Sequence, residues 1–180
     1  MVPEGSGKPE KNGVIEGTLT FRTWVLPVSM KFPGERMPEL SVPEQTGGSF
    51  FGDMLPPGTP AEERKDIACE ITKDQAGAIA SVYYTEIDET GGLTENTLEF
   101  LPEEAFRLTR SGALSAKFDF LPGRKTLTDM VTPYGAVSLC LMTTETAIKK
   151  DPQGVLVMIR YHFIEAPQEI HLVEYRIVIP

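Results

Sequence analysis

From Val14 onward, polar and apolar residues take turns along the chain. In GVIEGTLTFRTWVLP, Ile15, Gly17, Leu19, Phe21 and Thr23 fall on one side and Glu16, Thr18, Thr20 and Arg22 on the other. This is the period of two expected of a half-buried β-strand. Similar patterns return over residues 66–73, 77–86, 93–100, 105–111, 113–120, 125–132, 135–144, 155–165 and 170–179. Between them stand turn formers: Asp74-Gln75-Ala76-Gly77, Glu89-Thr90-Gly91-Gly92, Ser111-Gly112, Pro122-Gly123, Asp151-Pro152-Gln153-Gly154 and Ala166-Pro167. Gaps this short hold no crossover helix, so neighbouring strands are expected to run antiparallel. About ten such strands must close into a barrel or split into a sandwich, because one open sheet would leave two edges and an apolar face uncovered.

The alternation also selects an inside. Val155, Val157, Ile159, Tyr161 and Phe163 share the core face of their strand, and His171, Val173, Tyr175, Ile177 and Ile179 form the more apolar row of the last one. Ala80, Val82, Tyr84 and Glu86 align, as do Phe106, Leu108 and Arg110. Two rows that otherwise read as buried therefore end in a charge.

The region from Pro27 to Arg64 breaks the pattern. Prolines at 27, 33, 38, 43, 56, 57 and 60 exclude strand and helix interiors, and a connection of this length is a lid, a binding loop or disorder. It also carries Met30, Phe32, Met37, Leu40, Phe50, Phe51, Met54 and Leu55, so part of it is expected to lie against the body, a protein partner or a second copy of the chain. Thr59-Pro60-Ala61-Glu62 has the chemistry of a capping box and predicts one short helix to about Asp66. Residues 1–13 hold almost nothing to bury and read as a disordered tail, which leaves 14–180 as one domain.

Composition narrows the partners. A net charge of −9 with only 17 basic residues repels phosphate backbones and anionic lipid, so neither nucleic acid nor a membrane surface is expected as a ligand. The opening residues lack the apolar core of a signal peptide and no stretch reaches the length of a membrane span, so a cytoplasmic protein is expected. Cys69 and Cys140 have no second Cys or His at ligand spacing, which predicts two reduced thiols and no metal or other cofactor.

A set of motifs gives a resemblance. Tyr84-x-Glu86, Thr109-Arg110-Ser111-Gly112, Phe118-x-Phe120 before Pro122-Gly123, Thr132-Pro133-Tyr134-Gly135, Thr143 and Ile159-Arg160-Tyr161 follow in that order. The region from Asp66 to Pro180 thereby resembles the YwiB-like family of small bacterial proteins, a domain of unknown function. The resemblance implies an all-β fold, an antiparallel up-and-down barrel of the lipocalin-like (calycin-like) kind with about eight to ten strands. Two features depart from that family: Met130 stands where an aromatic residue is usual, and the 27–64 loop looks like an insertion. The family supplies no reaction.

Candidate chemistry is sparse. Pro133 and Gly135 are explained by a turn or bulge. Thr132 and Tyr134 are left over, with hydroxyls that either face a cavity mouth or, for Tyr134, bond to backbone at a barrel end. Glu86 and Arg110, if both point inward, must pair, with Tyr84 a candidate third member, or hold a polar group of a ligand, Arg110 then anchoring a carboxylate or similar anion. His162 and His171 lack a third metal ligand. Ser81, Ser111, Ser115 and Ser138 lack a nucleophile elbow, and phosphate-loop, dinucleotide and zinc-protease signatures are absent, so no catalytic residue is assigned. The reading that follows is a non-enzymatic barrel holding a small, partly apolar ligand near Tyr84, Glu86, Arg110, Thr132 and Tyr134. The alternative is an interaction module with a filled barrel and the 27–64 loop as its docking surface.

Overall fold

A computed structural model describes residues 13–28, 51 and 55–180. Residues 1–12 of the expected 1–13 tail and most of the 27–64 loop lie outside the described residues. Among the described residues ten strands form: β1 Val14–Pro27, β2 Glu62–Lys73, β3 Ile79–Ile87, β4 Leu93–Leu101, β5 Ala105–Gly112, β6 Ser115–Phe120, β7 Lys125–Thr132, β8 Gly135–Asp151, β9 Gly154–Phe163 and β10 Glu169–Val178. Each pairs antiparallel with its neighbours in the chain, and β1 pairs with β10, so the sheet closes into an up-and-down barrel.

Aspartates set several corners. The Asp74 carboxylate accepts the Ala76 and Ala78 N–H groups, Asp88 those of Thr90 and Gly92, and Asp151 those of Gln153 and Gly154. A short side chain thus caps its own turn, which is why Asp recurs where the alternation pauses.

Two expectations need correction. The capping-box helix at 59–66 does not form: Thr59 Oγ1 donates to the Pro56 carbonyl at 2.6 Å within a turn. Glu62, Glu63 and Arg64 enter β2, opposite Thr23, Arg22 and Phe21 of β1, so a ladder shared with a long strand outweighs a local capping signal. Likewise β8 does not stop near 144. It runs on to Asp151 through an irregularity between Thr143 and Glu145, where an extra residue bends the strand and resets the alternation.

One end of the barrel interior is solidly packed. Leu19, Ile71, Val82, Leu98, Phe106, Leu141, Val157, Ile159 and Ile177 are all fully buried there, each worth about 1.5–3 kcal/mol over an exposed position. A second cluster lies on the outer face, where Trp24, Leu26, Leu156, Met158 and Leu172 are roofed by Phe51 and Leu55. The Leu55 N–H donates to the Phe51 carbonyl at 3.0 Å, and the Phe51 N–H donates to the carboxylate of Glu174, which is 1% exposed on the same face. This end of the loop therefore packs on the barrel's own wall.

The wall has one thin seam. Between β6 and β7 the register holds only at Ser115 with Val131 and Ala116 with Met130. Farther along, the Thr126 hydroxyl reaches the Asp119 carbonyl at 2.8 Å.

Candidate functional site: the open end of the barrel

Toward the other end the inward rows change from aliphatic to aromatic and polar, and the packing opens. A cavity of about 280 Å³ lies there, walled by Phe21 of β1, Tyr84 and Glu86 of β3, Leu108 and Arg110 of β5, Phe118 and Phe120 of β6, Tyr161 of β9 and His171 and Tyr175 of β10. Its volume is just below the range of drug-sized pockets, and such sites are mainly apolar with a few placed polar groups.

Register brings the polar groups together. Tyr84 stands opposite Asn96 and Asn96 opposite Arg110, while Glu86 lies two residues beyond Tyr84 on the same face. Glu86 Oε2 accepts from Arg110 Nη2 at 3.0 Å and from Asn96 Nδ2 at 2.9 Å. Asn96 is 1% exposed, and its Oδ1 atom, like Arg110 Nε, is buried without a hydrogen-bond partner. Orphaned polar atoms of this kind are uncommon; Arg110 lines the cavity, so its Nε leaves a bond for a ligand or water to complete, while Asn96 supports Glu86 from behind the lining.

Three tyrosines surround the pair. Burial raises the hydroxyl of Tyr84 well above the ordinary range and that of Tyr175 to about 12, and burial also drives Tyr161 upward. Tyr84 donates to Tyr175, and Arg110 acts on all three phenols from nearby. All three remain protonated donors at neutral pH.

His171 completes the rim. Its ring stacks on Tyr161 with centroids 4.9 Å apart and meets Phe163 edge-on at 5.3 Å. Its Nε2 atom is buried with no hydrogen-bond partner, 4.0 Å from the Glu169 carboxylate. Burial lowers its pKa from 6.5, with Glu169 opposing the shift and His162 adding to it. A histidine held neutral by the fold binds fewer protons than it does unfolded. Its contribution is therefore complete above about pH 6.5 and falls away as the pH drops below that value. Urea unfolding at pH 7.5 and 5.5 is expected to show lower stability at 5.5, with the loss reduced in His171→Phe. An equal loss in the variant would exclude His171 as its source. The lowered carboxyls Glu63, Asp88 and Asp151 act in a lower window, below their ordinary values of 4.5, 3.8 and 3.8.

Of the residues singled out in the sequence, Tyr84, Glu86 and Arg110 meet in the cavity. Thr132 and Tyr134 do not: they form the tip of the β7–β8 hairpin, Thr132 Oγ1 accepting the Tyr134 N–H at 3.1 Å and donating to the Gly135 carbonyl at 3.0 Å. The Tyr134 side chain is 100% exposed and caps nothing. The Pro-Tyr-Gly corner is a bend. Asn96, Tyr161, His171 and Tyr175 were missed as site residues, yet Thr94, Asn96, Leu98 and Phe100 form one alternating row that carries Asn96 inward. Among the described residues no three His, Cys, Asp or Glu side chains group as a metal would need, and no helix is long and apolar enough to cross a membrane.

Comparison with known proteins agrees with this architecture. A family described as "Domain of unknown function (DUF1934)" matches residues 64–179. The crystal structure of the ywiB protein from Bacillus subtilis is similar over 93% of each chain, at 14% identity and a TM-score of 0.64, a likeness of fold. No curated protein matches.

Proposed function

The chain belongs to the DUF1934 family, a domain of unknown function, and for this member we propose a non-enzymatic protein that binds a small, partly apolar molecule in the open end of its barrel. The observation that carries this reading is the half-filled interior: aliphatic packing closes one end, while the other keeps about 280 Å³ walled by aromatic rings and an ion pair with unused hydrogen-bonding capacity. Tyr84, Glu86 and Arg110 are its polar anchor. A cytoplasmic setting belongs to the same reading, supported by the unbridged thiols Cys69 and Cys140.

Docking of a protein partner or a second copy through the 27–64 loop has less behind it, because Phe51 and Leu55 are already buried against the barrel.

Two variants test the proposal. Leu108→Trp places an indole in the cavity without removing a polar group, and retention of bound fragments is expected to fall at least about tenfold. Arg110→Leu is expected to weaken binding similarly. It also costs about 1–2 kcal/mol, because Glu86 keeps only Asn96 as partner and both members of the pair are partly exposed. Trp24, the single tryptophan, packs in the outer-face cluster and reports folding of each variant by its emission. Folded variants with undiminished binding would sink the proposal.

A further inference from the structure

The cavity's hydrogen-bonding capacity and its charge point to different ligands, and the difference selects one. Arg110 Nε lacks a partner, Tyr161 and Tyr175 contribute phenol O–H groups, and His171 Nε2 is unpaired. The one carboxylate deep enough to accept, that of Glu86, is already occupied by Arg110 and Asn96. His171 Nε2 donates or accepts according to the ring's tautomer, and Asn96 Oδ1, an unpaired acceptor, does not line the cavity, so among the lining groups the fixed donors, Arg110 Nε and the two phenols, outnumber the free acceptors.

Positive charge is not in surplus. Glu86 neutralises Arg110 at 3.0 Å, and Glu62, held by Arg64 at 3.2 Å, also lines the cavity. A ligand carboxylate would make Arg110 serve two carboxylates within a half-buried space, where like charges repel strongly. A ligand cation would find Glu86 taken and donors facing it. A neutral group with carbonyl-type oxygens accepts from the free donors and adds no charge, and the aromatic walls suit a flat apolar body.

Resting on the binding reading above, we propose that the ligand class is an uncharged, planar carbonyl compound such as an aryl amide or ketone, its oxygen meeting Arg110 Nε and the phenols, with Glu86 serving to cancel the guanidinium charge.

The test titrates benzamide and benzoate, equal in size and different in charge, into the wild-type protein and into Glu86→Gln, following the amide resonances of Tyr84, Tyr161 and Tyr175 by NMR. In the wild type benzamide is expected to bind at least about tenfold more tightly than benzoate. In Glu86→Gln the uncancelled guanidinium is expected to reverse the order. Benzoate equal to or tighter than benzamide in the wild type overturns this proposal and leaves the binding reading standing. An unchanged order in a folded Glu86→Gln protein also overturns it, because Glu86 would then not set the charge. If neither probe moves those resonances, both readings fail. The wild-type order is measured on the unaltered chain, so the proposal stays falsifiable even if the variant does not fold.

Discussion

Phe51→Ala is expected to destabilise the protein by about 3 kcal/mol, the lower end of the range for removing a buried phenyl ring. Phe51 comes from the proline-rich loop, but it is 1% exposed and meets Trp24 edge-on at 6.0 Å above Leu156, Met158 and Leu172. The substitution keeps the Phe51 N–H that donates to Glu174, so the change isolates the ring's packing. Urea unfolding followed by Trp24 emission measures it, and the same spectrum in the native state is expected to shift to the red as water reaches the indole. A loss below about 0.5 kcal/mol, the range of surface substitutions, would mean that the ring does not pack there.

Gly154→Ala is expected to cost more than about 3 kcal/mol or to prevent folding. Gly154 opens β9 at φ +155°, and a Cβ there would stand 1.9 Å from the Ile177 carbonyl oxygen and 3.0 Å from its carbon. Those atoms are backbone of β10, paired to Gly154 through Val178, so relief requires the ladder itself to move. Gly123→Ala is the control: φ is +72° with nothing within 4 Å of the added carbon, so it is expected to cost only about 1–2 kcal/mol of left-handed backbone strain. Thermal unfolding of the pair separates steric clash from backbone strain, and equal losses would refute the assignment.

What could be read from the sequence follows from the period of two. Alternation with Asp- and Gly-rich corners locates strands whose partners are their neighbours in the chain, and it correctly turned Val157, Ile159, Tyr175 and Ile177 inward. It failed where a longer-range partner decides. Thr59-Pro60-Ala61-Glu62 satisfies local capping rules, but β1 lies alongside and takes the segment into β2. Leu156 and Met158 fall on the outward row and are buried because a distant loop covers them. At the site, Glu86 and Arg110 stood out because a charge ended an apolar row. Asn96 was passed over because its importance arises only from register, which sets it between Tyr84 and Arg110. Thr132 and Tyr134 drew attention through a motif that the geometry of a turn explains.

The central claim is that the barrel has an open, aromatic-walled end able to admit a small molecule. Amide chemical-shift mapping with a library of small aromatic fragments tests it most directly. The expected result is saturable shifts at Tyr84, Arg110, Tyr161, His171 and Tyr175, with Leu127 and Tyr134 on the exposed hairpin unmoved. Fragments that move only the hairpin resonances, or none at all, would contradict it.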